Sequence, residues 1–223
     1  DNLTDLAVLK IRANNLSTIP QNSNRQAHVG DVVLAIGNPY NLGQSVSQGI
    51  ISAVGRNAVG DSVGRQNFIQ TDASINRGNS GGALINSAGE LVGISTLSIG
   101  KTANEIAEGL NFAIPMDIAN DVLQKIIRDG RVIRGYFGVQ SDISSSSEEG
   151  IVITGVSPNS PAAKAGIQLG DVILKLNNQE GISAREMMQI IANTKPNSKV
   201  LVTILRLGKI LQLPVVIEEF PVN

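Results

Sequence analysis

The residues from Thr71 to Leu84, TDASINRGNSGGAL, carry the strongest chemical signal in the chain. In Gly78-Asn79-Ser80-Gly81-Gly82 one hydroxyl side chain stands among glycines, which bend backbone tightly and leave the neighbouring N–H groups unobstructed. A serine displayed in this way suits nucleophilic acyl transfer, with Ser80 Oγ attacking and adjacent N–H groups holding the oxyanion that forms. The same letters also fit a glycine-rich hairpin between two strands, so the surroundings must decide between the two. A serine nucleophile further needs a base and an acid to orient that base. The chain has one histidine, His28, and Asp5 stands before an apolar run, where an aspartate more often serves as a turn or cap residue.

The composition bounds what can surround such a site. With 223 residues, 42% hydrophobic content and 23 glycines, the length favours two modest domains. A net charge of −1, with no basic block and no aromatic–basic interleaving, argues against a nucleic-acid partner. No run of eighteen apolar residues occurs, so no membrane-spanning helix is expected within this segment. The absence of cysteine removes disulfides and thiolate metal sites, and fits either cytosol or periplasm. Neither a metal cluster nor a phosphate loop is apparent, and no cofactor is expected. Asp1-Asn2-Leu3-Thr4-Asp5 runs directly into the apolar segment Leu6–Ile11, so the sequence reads as part of a longer protein.

The elements that would position the serine are β-rich. Leu6–Ile11, Asp31–Ile36, Val46–Val54, Phe68–Thr71, Ala83–Ile85, Leu91–Leu97 and Leu110–Ile114 read as strands separated by Asn, Gly, Ser and Pro clusters, the pattern of an antiparallel barrel or sandwich. From Met116 to Arg128 the apolar spacing becomes helical, with Pro115 before the first turn and Gly130 after the last. A second, α+β module follows: strands Gly150–Val156, Asp171–Leu176, Val200–Arg206 and Ile210–Ile217, with helices from Ser160 to Gly166 and from Ser183 to Ala192. The boundary is placed between residues 130 and 131, giving domains 1–130 and 131–223. Ser144–Glu149 reads as a flexible polar loop.

The segments TDLAVLKI (4–11), GDVVLAIGNPY (30–40), QGIISAVGR (48–56), IQTDASINRGNSGGALIN (69–86) and GLNFAIP (109–115) resemble the HtrA/Deg family of serine proteases, and the second module resembles that family's PDZ domain. The resemblance covers essentially the whole chain. It implies a mostly β fold, a chymotrypsin-like double β-barrel protease domain incomplete at its N-terminus followed by a small α+β PDZ domain. It also implies roles: Ser80 as nucleophile, Asp5 as the acid that orients the base, and Gly78 with Ser80 as oxyanion-hole donors. The family's catalytic histidine lies upstream of TDLAVLKI, so it is expected before residue 1. The order Asp5, His28, Ser80 matches that of subtilisin, but subtilisin-type sites call for α/β alternation, whereas GNSGG here leads into the strand-like ALIN. His28, just before Val29-Gly30-Asp31, is therefore expected in a surface turn.

By the same resemblance Arg56, Tyr40 and Gln70 would help switch the oxyanion hole, with the loop from Gly55 to Gly64 as a movable sensor. Tyr136, Phe137, Gly138 and Val139 would receive a peptide's C-terminal carboxylate, and Met188 would line an apolar pocket, with Met187 and Ile191 as weaker candidates that more often belong to a core. The single PDZ module points to the membrane-anchored stress-sensor branch of the family. It implies a homotrimeric periplasmic endopeptidase, anchored to the inner membrane by a segment outside this chain. Such an enzyme would be activated by C-terminal peptides of unfolded outer-membrane proteins, and would cleave an anti-sigma factor. The segment alone, without the histidine, is expected to be inactive. The alternative is a peptide-binding scaffold whose protease domain is inactive. The walls beside the nucleophile, near Ser74, Asn76 and Ile94–Leu97, carry no charge and suit cleavage after small aliphatic residues such as Val or Ala.

Overall fold

A computed structural model describes residues 1–21, 26–56, 67–98, 109–141 and 150–221. Contacts divide the chain into two compact units, Asp1–Val132 and Ile133–Asn223.

The first unit is built on six strands: β1 (Val32–Gly37), β2 (Ser45–Arg56), β3 (Phe68–Thr71), β4 (Ala83–Asn86), β5 (Leu91–Ser98) and β6 (Asn111–Pro115). They close into a barrel in the order β1-β2-β3-β6-β5-β4. Its strands pair antiparallel throughout, with Val33 opposite Gly49 and Asn86, and Ile69 opposite Ala113. Closure removes exposed edges, and inward side chains fill the interior. Val33, Ala35, Ile51, Ile69, Ala73, Ile75, Leu84 and Ala113 form that core. A second cluster joins Phe68, Phe112 and Ile114, with the two rings edge-to-face at 6.0 Å. Each large apolar side chain buried this way stabilises the fold by about 1.5–3 kcal/mol relative to exposure. Helix α1 (Met116–Asp129) follows β6 directly and stops at Gly130, whose N–H donates to the Ile126 carbonyl from a left-handed backbone.

The expected strand over Leu6–Ile11 is the one clear departure in this unit. These residues form no strand, and Leu9 is 88% exposed and Ile11 65% exposed. A strand exists only through a partner's ladder, and no edge among the described residues pairs with this segment.

The second unit contains β7 (Gly135–Tyr136), β8 (Val139–Ser141), β9 (Ile151–Val156), α2 (Pro161–Lys164), β10 (Val172–Leu176), β11 (Gln179–Glu180), α3 (Ala184–Asn193), β12 (Lys199–Arg206), β13 (Lys209–Val216) and β14 (Glu218–Glu219). The main sheet runs β13-β12-β10-β9-β8, with β11 on β10, and β14 pairs separately with β7. Strand β8 is therefore an edge. The core gathers Phe137, Ile151, Ile153, Ile173, Met187, Ile191, Val202 and Ile204, among others. Serines start both helices: Ser160 Oγ accepts from the Ala163 N–H, and Ser183 with Glu186 forms a reciprocal capping box. The sequence pattern missed the short strands β7, β8, β11 and β14, which are too brief to show a period.

Candidate active site

The loop between β3 and β4 holds Ser80, and its conformation is set by hydrogen bonds that a hydrophobicity pattern does not reveal. Asn79 N–H donates to Asn76 O and Gly82 N–H to Asn79 O, each at 2.9 Å, so the chain turns tightly through the serine. Two more bonds attach this turn to β5: Gly81 N–H to Ser95 O at 2.8 Å and Ser95 N–H to Gly82 O at 2.9 Å. Gly78 has φ +104, and a Cβ there would lie 2.3 Å from Asn38 O and 2.9 Å from Tyr40 N. Only glycine fits so close to the turn Pro39–Asn41.

Within this frame Ser80 Oγ donates to the Thr96 carbonyl oxygen at 2.6 Å. Thr96, only 8% exposed, donates its own Oγ1–H to Asp5 Oδ2 at 3.0 Å. One residue of β5 thus joins the two site residues that lie seventy-five positions apart in the sequence. Asp5 is held with φ 54 in the turn over residues 2–5, a left-handed conformation that aspartate tolerates better than most residues. Thr96 was not singled out in the sequence, although it lies in the strand segment Ile94–Leu97. No motif marks it, because its role arises from being opposite both partners in space.

The two candidate oxyanion donors, the N–H groups of Gly78 and Ser80, donate to no partner among the described residues. The peptide that links Arg77 to Gly78 is fixed on its carbonyl side, where the Tyr40 N–H donates to Arg77 O at 2.8 Å. In a trans peptide the C=O and N–H point in opposite directions, so this bond turns the Gly78 N–H away from the Tyr40 side. Tyr40 acts here through its backbone; its φ is 52 and its ring is exposed. Arg56, at the end of β2, donates from Nε to Gln70 Oε1 on β3 at 3.0 Å. The structure therefore pairs Arg56 with Gln70, while the proposed sensor loop lies mostly in residues 57–66, outside the described residues.

His28 stands apart from this arrangement. Its backbone N–H donates to Asp31 Oδ2 at 3.0 Å, its Nδ1 lies 3.9 Å from the same oxygen, and its side chain is 73% exposed. It sits in the turn that enters β1, and the Ser80 hydroxyl is engaged by Thr96 and not by an imidazole.

In the second unit, Tyr136 ends β7 and Val139 opens β8, with Phe137 and Gly138 between them. Phe137 is a core side chain, so only its backbone is available for binding. The Phe137 carbonyl accepts from Ala162 N–H, and that of Gly138 from Ser157 N–H, both at 2.9 Å. Gly138 has φ +84, and a Cβ would fall 2.2 Å from Ser160 Cβ. With both carbonyls held, the N–H groups of Phe137 and Gly138 make no hydrogen bond among the described residues. The Ser157–Gly138 bond places Val139 opposite Val156 in the non-hydrogen-bonded register, which directs the Val139 N–H to the open edge. Met187 and Ile191 belong to the core, whereas Met188 is half-buried and outside it. Ser144–Glu149 lies outside the described residues.

Comparison with known proteins gives this geometry a family. A trypsin-like peptidase domain model matches residues 1–94 and a PDZ domain model residues 125–205. A solved structure of an HtrA-type protease, AlgW with a decapeptide, superimposes with a TM-score of 0.90 at 42% identity, over 100% of this chain and 70% of that one. The chain belongs to the HtrA family of proteases. It is 95% identical over its full 223 residues to the serine endoprotease DegS of Haemophilus influenzae, and spans 66% of that relative's length. It is 40% identical, over 98% of its length, to the periplasmic pH-dependent serine endoprotease DegQ of Escherichia coli, of which it spans 50%. The HtrA chain is thus mostly β, a closed six-stranded barrel unit followed by a PDZ unit.

Proposed function

We propose that this chain carries the nucleophile, orienting acid and oxyanion donors of a serine endopeptidase whose PDZ unit reads free peptide C-termini. The observation that carries the reading is the linkage Ser80–Thr96–Asp5 beside two N–H groups that have no partner among the described residues. Ser80 Oγ attacks the scissile carbonyl while its proton passes to the base. The tetrahedral oxyanion is held by Gly78 N–H and Ser80 N–H, and the base then returns the proton to the leaving amine. Asp5 orients that base, and Thr96 Oγ1 holds Asp5. By family resemblance the base is a histidine preceding residue 1 in the full protein. On binding a base, the Ser80 hydroxyl exchanges its bond to Thr96 O for one to the imidazole.

The domains are proposed as 1–130 and 131–223. The N–H groups of Phe137, Gly138 and Val139 would receive the peptide carboxylate, the β8 edge would pair with its backbone, and Met188 would line the pocket for its last side chain. Arg56 and Gln70, paired across β2 and β3, would pass occupancy to the Tyr40–Arg77 bond and so to the orientation of Gly78 N–H. The proposed biological setting is the bacterial periplasm, in a homotrimer anchored to the inner membrane. There C-terminal peptides of misfolded outer-membrane proteins activate cleavage of a membrane-bound anti-sigma factor. The uncharged walls near Ser74, Asn76 and Ile94–Leu97 favour cleavage after Val or Ala.

An inactive scaffold is the competing reading, because Ser80 Oγ donates to a backbone carbonyl and not to a base. Full-length protein separates the two. A fluorophosphonate probe is expected to label Ser80, and a free-acid peptide ending in an apolar residue to raise substrate cleavage, while its amidated twin has no effect. Failure to label in the presence of the activating peptide would favour the scaffold. Undiminished activation in Arg56→Ala would remove the transmission route.

A further inference from the structure

We propose that Phe220 is a positioning residue for peptide capture: from a short C-terminal strap it holds the Tyr136 ring against the Phe137–Gly138 loop, and so sets that loop's preference for a free carboxylate. This inference rests on the loop taking a free peptide C-terminus. The strap begins where the main sheet stops. After β13 the chain leaves that sheet, and β14 pairs antiparallel with β7, Glu218 opposite Tyr136 and Glu219 opposite Gly135. The Phe220 N–H extends the pairing by one residue, donating to Arg134 O at 2.8 Å. Gly135 lets β7 lie close between α3 and the strap: a Cβ on it would fall 2.1 Å from Ile191 O and 2.9 Å from Ile217 Cγ2.

Alternation along the paired strands decides which side chains meet. Glu218 is directly opposite Tyr136, so Phe220, two residues on, is the diagonal neighbour of Tyr136 on the same side of the ladder, a separation that aromatic rings bridge. The two rings do meet, edge to face, with centroids 5.5 Å apart and planes at 90°. The far end of the Tyr136 ring reaches the loop, where a Cβ built on Gly138 would fall 2.9 Å from the phenol oxygen and 2.2 Å from Ser160 Cβ. Gly138 thus sits between the phenol and the residue that caps α2. The half-buried phenol makes no hydrogen bond among the described residues, so the orientation of its ring depends on packing.

Magnitudes separate this ring contact from the ion pair that also ties the strap down. Lys164 Nζ of α2 lies 2.5 Å from Glu218 Oε1, but the two side chains are 58% and 43% exposed, and surface pairs of that kind contribute little. An edge-to-face aromatic pair shifts an equilibrium by about 2- to 12-fold beyond the area it buries. Phe220 therefore outweighs Glu218 in fixing where the phenol stands. Without Phe220 the phenol leaves the side of Gly138 that Ser160 does not cover, and the loop's N–H groups are less firmly aimed. A carboxylate needs those N–H groups to converge on it, whereas a peptide's backbone pairs with the β8 edge and its side chains do not depend on them. The loss is therefore selective for the charged terminus.

The test measures binding of a ten-residue peptide ending in an apolar residue, and of its C-terminally amidated twin, to the full-length protein by fluorescence anisotropy. Phe220→Leu keeps apolar bulk and the β14 pairing but removes the ring. It is expected to weaken the free-acid peptide by about 3- to 10-fold and to leave the amidated twin within about 2-fold. Phe220→Tyr, which keeps the ring, should bind as the unaltered protein does, and Lys164→Ala should change affinity by less than about 2-fold. In a Tyr136→Leu background Phe220→Leu should have no further effect, because the strap then has no ring to hold. Unchanged free-acid affinity in Phe220→Leu, or an undiminished effect in the Tyr136→Leu background, would overturn the assignment. So would equal weakening of both peptides, which a merely structural loss produces. If the unaltered protein binds the two peptides equally, the carboxylate reading itself fails; a protein that distinguishes them but ignores Phe220→Leu keeps that reading and loses only the role of the strap.

Discussion

The Ser80 loop and the Tyr136–Val139 loop solve the same backbone problem and end in different chemistry. Each places a glycine at positive φ where a Cβ would collide with a neighbour, Asn38 O for Gly78 and Ser160 for Gly138. Each has its carbonyls held from behind, by Tyr40 N–H in one and by Ser157 and Ala162 N–H in the other. Each leaves a pair of N–H groups without a partner among the described residues. Such a pair attracts negative charge whether that charge develops during a reaction or arrives on a ligand. The difference lies in what stands beside the pair. Next to Gly78 is a hydroxyl linked through Thr96 to a carboxylate, which suits bond-breaking. Next to Gly138 is the open edge of β8, which suits adding a strand. Anion-binding geometry is common to both loops, and the neighbouring group decides between turnover and capture.

The sharpest way to test that contrast is to remove the group that makes one loop reactive. In full-length protein Ser80→Ala is expected to lower kcat by at least about 10,000-fold while leaving peptide affinity at the PDZ unit unchanged. Substrate cleavage and peptide titration on the same preparation check both halves. Residual cleavage near the unaltered level would end the assignment of Ser80.

Next come the two glycines, whose substitution should have separable effects. Gly78→Ala is expected to cost about 100- to 1,000-fold in kcat through a displaced oxyanion donor, with peptide binding intact. Gly138→Ala should weaken binding of free-acid peptides by about 10-fold or more and leave unstimulated cleavage in place. If Gly138→Ala instead abolished basal turnover, the division of labour between the loops would be wrong.

The third prediction concerns what holds the second unit together in acid. Asp171, 1% exposed, accepts from Arg206 Nε and Nη2 at 2.7 Å each and from Gln168 N–H at 2.8 Å. Burial works to raise its pKa, but the Arg206 hydrogen bonds, the Gln168 N–H and the Arg206 charge together outweigh burial and hold the carboxyl below the ordinary range. A carboxyl depressed in the folded state stabilises fully above its unfolded pKa of about 3.9, and that contribution is lost as pH falls through the lower folded value. Thermal unfolding of the second unit should therefore become steeply acid-dependent below about pH 4. Asp171→Asn should flatten that dependence and cost about 3 kcal/mol at neutral pH by leaving Arg206, which keeps its bond to Gly166 O, without its ion-pair partner. An unchanged acid slope would show that other carboxyls carry it.

Smaller effects sharpen the catalytic half. Thr96→Val keeps the backbone carbonyl that receives Ser80 but deletes the bond to Asp5, and is expected to reduce kcat about 10-fold with little change in KM. A loss confined to KM would place Thr96 in substrate binding. His28→Ala, at an exposed turn, should leave both cleavage and peptide binding within about 2-fold of the unaltered protein. Inactivity of a folded His28→Ala protein would revive the order Asp5, His28, Ser80.

Much of this arrangement is legible in the residues. The GNSGG turn, the β-rich order of the first unit and the α+β order of the second follow from glycine placement and from apolar periods of two and 3.6, which are local properties. The helix boundaries at Pro115, Gly130, Ser160 and Ser183 are equally local, because capping involves residues within one turn of each other. Only the tertiary structure decides three matters. Leu6–Ile11 has the composition of a strand but pairs with no ladder among the described residues, and pairing is not a property of one segment. Thr96 acquires its place because barrel closure brings β5 against both the Ser80 turn and the Asp5 turn. Tyr40 matters through its backbone N–H, which donates to Arg77 O. A sequence states which groups are present, while hydrogen-bond satisfaction depends on which groups from distant positions meet and which are left without a partner.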